Sequence, residues 1–269
     1  MFKTKKEIEN WLLKMNIKSY NIREEETYII DVNGDVIIGG NGDQLPVQFG
    51  IIHGSFDCSK VGLTTLKGCP YNVTGSFKCS NNDLTSLKYS PIEVGINFDC
   101  SSNQLTSLKH CPLFVGLGFS CTHNKITSLE YSPKIIGGFL ACNNNKLTTL
   151  KGCPEEIGNG IDCSNNLLES MEYCPKFING MLNCSNNKLT SFLGFPEKIN
   201  DSLGMLNNLI SKEQLKYFNT LVNGFIIEDF YKNDKLFLAE VNEQKIKREK
   251  EILLSIKNCS YKNTVQKRI

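Results

Sequence analysis

The apolar positions of this 269-residue chain fall in columns rather than in long runs. Cys58, Cys79, Cys100, Cys121, Cys142, Cys163 and Cys184 stand 21 residues apart, and so do Pro70, Pro91, Pro112, Pro133, Pro154, Pro175 and Pro196. Two residues before each cysteine comes Phe56, Phe77, Phe98, Phe119, Leu140, Ile161 or Leu182, and six before it Ile52, Val73, Val94, Val115, Ile136, Ile157 or Ile178. Five after it comes Leu63, Leu84, Leu105, Ile126, Leu147, Leu168 or Leu189. Eight after it comes Leu66, Leu87, Leu108, Leu129, Leu150, Met171 or Phe192. Three after it stands Asn82, Asn103, Asn124, Asn145, Asn166 or Asn187, with Val61 in the first copy. Seven in-phase copies mark a repeat whose unit is too short to bury its apolar face alone, so neighbouring coils must stack.

Within each copy Phe, Cys and Leu alternate with Ser, Asp and Asn, the period of a strand buried on one face. Stacked coils then form a parallel sheet. The recurring asparagine is expected to turn its amide inward and satisfy backbone groups where the chain leaves the strand, building a ladder. A proline in every copy forbids a long helix on the return path, so the convex side should be extended.

The consensus V-x-G-x-F-x-C-S-x-N-x-L-T-S-L-x-x-x-P resembles the leucine-rich repeat pattern L-x-x-L-x-L-x-x-N-x-L, with cysteine at its third leucine and the first apolar position one residue early, before a glycine-rich kink. The resemblance is to the short repeats of bacteria and tailed phages, a group largely without assigned function. It covers roughly residues 45 to 205. It implies a leucine-rich-repeat-like solenoid with a parallel β-sheet, an extended convex side and a curved face that binds proteins.

Three regions follow: 1–45, an N-terminal helix plus hairpin cap; 46–205, the solenoid; 206–269, a C-terminal helical cap or subdomain. Thr4 and Glu7 fit a capping box ahead of a helical face of Ile8, Trp11, Leu12 and Met15. Asn33-Gly34 between alternating apolar residues reads as a hairpin turn. Ser211 and Gln214 suggest a second capping box, with a helix closing near Gly224 and another from Asn233 onward.

The charge balance, +2 in total, supplies no global field for nucleic acid. No apolar run approaches the roughly 20 residues of a bilayer span. Twelve cysteines and an N-terminus without a signal-peptide core point to a reducing, cytoplasmic setting, the host cytoplasm for a phage-encoded chain. In-register cysteines would hold their Cβ atoms about 4.8 Å apart, beyond the ~3.5–4.5 Å a disulfide prefers, and their parallel vectors do not converge on a metal. They read as core residues. A second column, Cys69, Cys111, Cys153 and Cys174, shares its phase with Ser90, Ser132 and Phe195, which argues for space rather than ligation. His53, His110 and His123 form no pair, and no nucleophile–base–acid set is visible. No metal, no cofactor and no enzymatic site are therefore expected in the solenoid.

Surface columns are the better candidates. The residue before each cysteine (Asp57, Lys78, Asp99, Ser120, Ala141, Asp162, Asn183) should face the concave side, with Phe139 and Met181 interrupting a polar surface. Those two are either partner anchors or side chains folded over the neighbouring coil. A secondary edge carries Lys67, Lys88, Lys109 and Lys151 beside Tyr89, Tyr131 and Tyr173. Glu130 and Glu172 break the lysine row, which disfavours nucleic acid. The expected function is a non-enzymatic scaffold for a protein partner, by analogy an accessory factor that modulates or inhibits a host or defence protein. Two alternatives are a ubiquitin-ligase-like effector acting through Cys259 in the C-terminal segment, and a self-associating structural protein.

Overall fold

The computed structural model describes residues 2–25, 27–211 and 214. Residues 1–209 form one compact unit, a parallel β-solenoid with very little helix. The segment with the expected C-terminal helices and Cys259 lies outside the described residues, apart from its start. There Ser211 N–H donates to Gln214 Oε1 (2.9 Å) and Gln214 N–H to Ser211 Oγ (3.2 Å), the reciprocal bonds of a capping box.

Each coil contributes to two parallel sheets where one was expected. The first, sheet I, takes the residues seven and six before the cysteine, from Asn72–Val73 through Glu93–Val94, Phe114–Val115 and Ile135–Ile136 to Glu156–Ile157. Sheet II takes the residues two and one before it, from Phe56–Asp57 to Leu182–Asn183, with Val36–Ile37 added before and Leu203–Gly204 after. Glycines make the corner between the sheets. A Cβ on Gly95, Gly116, Gly137 or Gly158 would collide with the backbone carbonyl one coil earlier. In these four coils the kink is a close approach of backbone to backbone that leaves no room for a side chain, whereas Thr74 and Asn179 hold the same place in the coils before and after.

Asn33-Gly34 lies at the corner between the two sheets and is not a hairpin, although a Cβ on Gly34 would meet nothing within 4 Å. Val36–Ile37 pairs in parallel with Phe56–Asp57 in sheet II, while Tyr28–Asn33 belongs to sheet I. The antiparallel hairpin is one element earlier, between Tyr20–Glu24 and Tyr28–Asn33. Gly34 has φ +128°, a conformation that suits a tight turn as well as this change of direction, so the local signal fits either. Helix α1, Lys5–Lys14, begins with the expected Thr4–Glu7 capping box and buries Ile8 and Leu12. Trp11 meets Phe49 at 6.2 Å, and Phe49 meets Phe56 at 5.1 Å, tying the cap to the core.

Inside, Phe56, Phe77, Phe98 and Phe119 stack at 5.5–5.7 Å with their planes within 13° of parallel. Leu140, Ile161 and Leu182 continue the column, all fully buried. Each such side chain contributes about 1.5–3 kcal/mol by leaving water. The asparagine ladder forms as expected. Asn103 Oδ1 accepts from Leu84 N–H at 3.0 Å, and its Nδ2 donates to Cys79 O at 3.0 Å and Cys100 O at 3.1 Å. The same set recurs at Asn124, Asn166 and Asn187, so each rung ties its own coil to the one before. Among the described residues no helix is long and apolar enough to cross a membrane.

Candidate functional site

The seven ladder cysteines are buried and free. Several thiols also donate to the next coil: Cys58 Sγ to Lys78 O and Cys100 Sγ to Ser120 O, both at 3.3 Å. Burial pushes the thiols of Cys79, Cys100, Cys142 and Cys163 well up and that of Cys184 up to about 12. In the second column Cys69 is buried, while Cys111, Cys153 and Cys174 are half-buried. Burial pushes Cys111 and Cys153 up to about 12. Cys111 Sγ donates to Tyr131 O (2.7 Å), Ser90 Oγ to His110 O and Ser132 Oγ to Gly152 O. Cysteine and serine therefore interchange here because both supply a short donor to the next coil, a reason beyond space. Among the described residues no group of three His, Cys, Asp or Glu is placed to hold a metal ion.

Two of the histidines occupy left-handed backbone positions. His110 (φ +73°) shares its column with Tyr89, Tyr131 and Tyr173 at +69° to +73°, and with glycine at 68, 152 and 194. His123 (φ +53°) shares its column with Asn81, Asn144, Asn165, Asn186 and Ser102. Asparagine tolerates this conformation best among non-glycine residues, which accounts for its dominance there. His110 and His123 each occupy a backbone turn, whereas His53 ends the strand Gln48–His53.

The face expected to be concave is polar, and much of it serves its own backbone. Asp57, Asp99 and Asp162 are half-buried, and each Oδ1 accepts from the N–H two residues on, of Ser59, Ser101 and Ser164, at 2.9–3.0 Å. Asn183 receives Ser185 N–H in the same way at 3.2 Å. Lys78 is exposed and Ser120 half-buried. Phe139 and Met181 are both half-buried. The Phe139 ring lies over the neighbouring coil, where a Cβ on Gly160 would come within 3.0 Å of its Cε2. For Phe139 the geometry matches folding over the edge. On the secondary edge Lys67, Lys88, Lys109 and Lys151 are exposed, as are Tyr89, Tyr131 and Tyr173. Lys88 Nζ sits 5.0 Å from the Tyr89 ring centre, and Lys151 pairs with Glu130 at 2.9 Å.

A different surface concentrates large exposed apolar groups: the outer side of sheet I. Tyr71, Ile92 and Leu113 succeed one another in adjacent coils, each N–H donating to the carbonyl before it. Phe114 and Ile135 are register partners beside them, and Leu117 N–H donates to Ile96 O across the corner. These seven side chains are 40–61% exposed. Sheet I then breaks. Strand Glu156–Ile157 is the last of its eight, and Phe177–Ile178 pairs only onward with Lys198–Ile199. Two shallow grooves, of 400 and 530 Å³, flank this break and share Glu155 and Phe177. Ile135 and Glu156 line one, and Tyr173 and Cys174 the other.

Sequence reasoning missed this surface because the outward position of sheet I holds Ile51, Asn72, Glu93, Phe114, Ile135, Glu156 and Phe177, with no common residue type. No family model matches the chain, and no curated protein is similar to it.

Proposed function

We propose that this chain is a protein-binding solenoid, and that the outer side of sheet I is its principal contact surface. The supporting observation is the cluster of Ile92, Leu113, Phe114, Leu117 and Ile135, all exposed and held in register by the ladder beneath them. Isolated exposed apolar residues are ordinary, but a contiguous group on a rigid sheet is what an interface core requires. The resemblance to leucine-rich repeats of bacteria and tailed phages supports the same reading. It extends the proposal to a cytoplasmic accessory factor that engages a bacterial protein and modulates it.

The test places a photo-crosslinking amino acid at Ile135, and at Ser120 on sheet II for comparison, in the full chain exposed to bacterial lysate. One protein crosslinked from position 135 and lost in the Leu113→Ser/Phe114→Ser variant is the expected result. Crosslinks from Ser120 alone would move the interface to sheet II. Recovery of nucleic acid with no protein would overturn the reading.

A further inference from the structure

The apolar cluster on sheet I carries information about what covers it. The face of a parallel sheet has no free N–H or C=O, because the ladder uses both. An added strand would leave its own backbone unpaired there, whereas a helix satisfies its backbone internally and brings only side chains. The cluster and the grooves beyond it extend over six coils, from the one with Tyr71 to the one with Phe177. At about 4.8 Å per coil that is roughly 24 Å, the length of a helix of about 16 residues.

Charge on this face is uneven. Glu93 is the register partner of Phe114, and Glu156 of Ile135, with Glu155 beside it in the groove. None of the three is in an ion pair among the described residues. Among the described residues on these rows, Lys134 and Lys198 are the ammoniums not so engaged, Lys198 as the register partner of Phe177, while Lys176 is paired with Glu197 at 3.1 Å. Three carboxylates against two ammoniums leave the border of this apolar face acidic by one charge, with Glu155 and Glu156 together in one groove and Lys198 beyond Phe177.

We infer that the partner presents an amphipathic helix. Its apolar residues, at i, i+3, i+4 and i+7, lie across the rows of Ile92, Leu113 and Phe114. Lysine or arginine at one end reaches Glu155 and Glu156 at the break in sheet I, with the aliphatic stem of that cation against Ile135 and Phe177. This inference rests on the reading of the chain as a protein-binding solenoid and adds the chemistry of the partner.

The probe is a fluorescently labelled synthetic peptide of about 16 residues, with leucine at helical spacing and three lysines or arginines in its last two turns. Its twin carries glutamate at those three positions. Binding to the full chain is read by fluorescence anisotropy at physiological salt. The cationic peptide should bind roughly tenfold more tightly than its twin. Glu155→Gln/Glu156→Gln should remove most of that difference, and Leu113→Ser/Phe114→Ser should abolish binding of both peptides. All four substitutions are at exposed positions, and circular dichroism verifies that each variant is folded.

Equal affinity of the two peptides would overturn the inference. So would binding that survives Leu113→Ser/Phe114→Ser, or no binding of either peptide up to about 1 mM. A wild-type dimer that the same double variant converts to monomer would assign the face to a second copy of this chain and overturn it as well. Failure of the peptides alongside a specific crosslink from position 135 removes only the helix. Failure of both removes the binding reading itself.

Discussion

Replacing Asn103 by alanine isolates what the amide ladder contributes. The residue is 4% exposed, and among the described residues its Oδ1 is the sole hydrogen-bond acceptor for Leu84 N–H. Its Nδ2 also donates to the carbonyls of Cys79 and Cys100, which keep a second amide donor from Asn82 and Asn124 respectively. The substitution thus orphans one buried donor, costing about 1–3 kcal/mol, and removes two further bonds worth about 0.5–1.5 kcal/mol each. The expected loss is about 2–6 kcal/mol, read by urea denaturation followed by circular dichroism. Thr106→Ala, at an exposed position, should stay within about 0.5 kcal/mol of the parent. Asn103→Asp sharpens the test. Its carboxylate still accepts from Leu84 N–H but faces two carbonyls in a buried site, so its pKa should rise on folding. A carboxyl raised in the folded state loses stability as pH increases, and this variant should be weaker at about pH 8 than at about pH 5. A loss under about 1 kcal/mol for Asn103→Ala, or the opposite pH trend for Asn103→Asp, would refute the argument.

Two further outcomes follow from other parts of the molecule. Gly116→Ala sets a Cβ against the Gly95 carbonyl and should cost about 2 kcal/mol or more in the same denaturation assay, whereas Gly39→Ala, with nothing within 4 Å of the added carbon, should change little. At Asp31 burial pushes the carboxyl up, but the Arg23 guanidinium (2.7 Å) and the Ile51 N–H (2.8 Å) outweigh it and hold the group below its ordinary value. A depressed carboxyl stabilises above its unfolded pKa and loses that contribution as pH falls through the folded one. Asp31→Asn should therefore weaken the fold by about 1 kcal/mol near neutrality, with the gap to the parent closing below about pH 4.

Much of the core was legible because each column repeats one chemical role. Cysteine, leucine and asparagine recur where a buried surface or a buried donor permits few residue types, and repetition turns a weak preference at one site into a pattern. The two sheets were not legible, since a strand of two residues has one inward and one outward position and cannot display alternation. Asn33-Gly34 met the local requirement for a turn, and only the parallel pairing of Val36–Ile37 with Phe56–Asp57 distinguishes a corner from a hairpin. The candidate surface was hidden for a related reason. Solvent tolerates isoleucine, glutamate and asparagine alike at the outward position of sheet I, so its apolar members emerge only once neighbouring coils are set side by side.

The break in sheet I has a mechanical consequence. Across every earlier junction between full coils, a pull along the axis is shared by two sheets and an asparagine rung. Between Glu156–Ile157 and Phe177–Ile178 one of the two sheets carries none of it as ladder bonds. Load passes instead through sheet II, where Ile161 N–H donates to Met181 O and Cys163 N–H to Asn183 O, through the Asn187 amide, and through turn bonds such as Gly180 N–H to Asn159 O and Lys188 N–H to Leu168 O. The solenoid thus has a built-in fracture plane. Tension that leaves the first coils stacked would separate the coils there first, and small rotations about the surviving sheet would open and narrow the grooves beside Phe177 like the jaws of a clip.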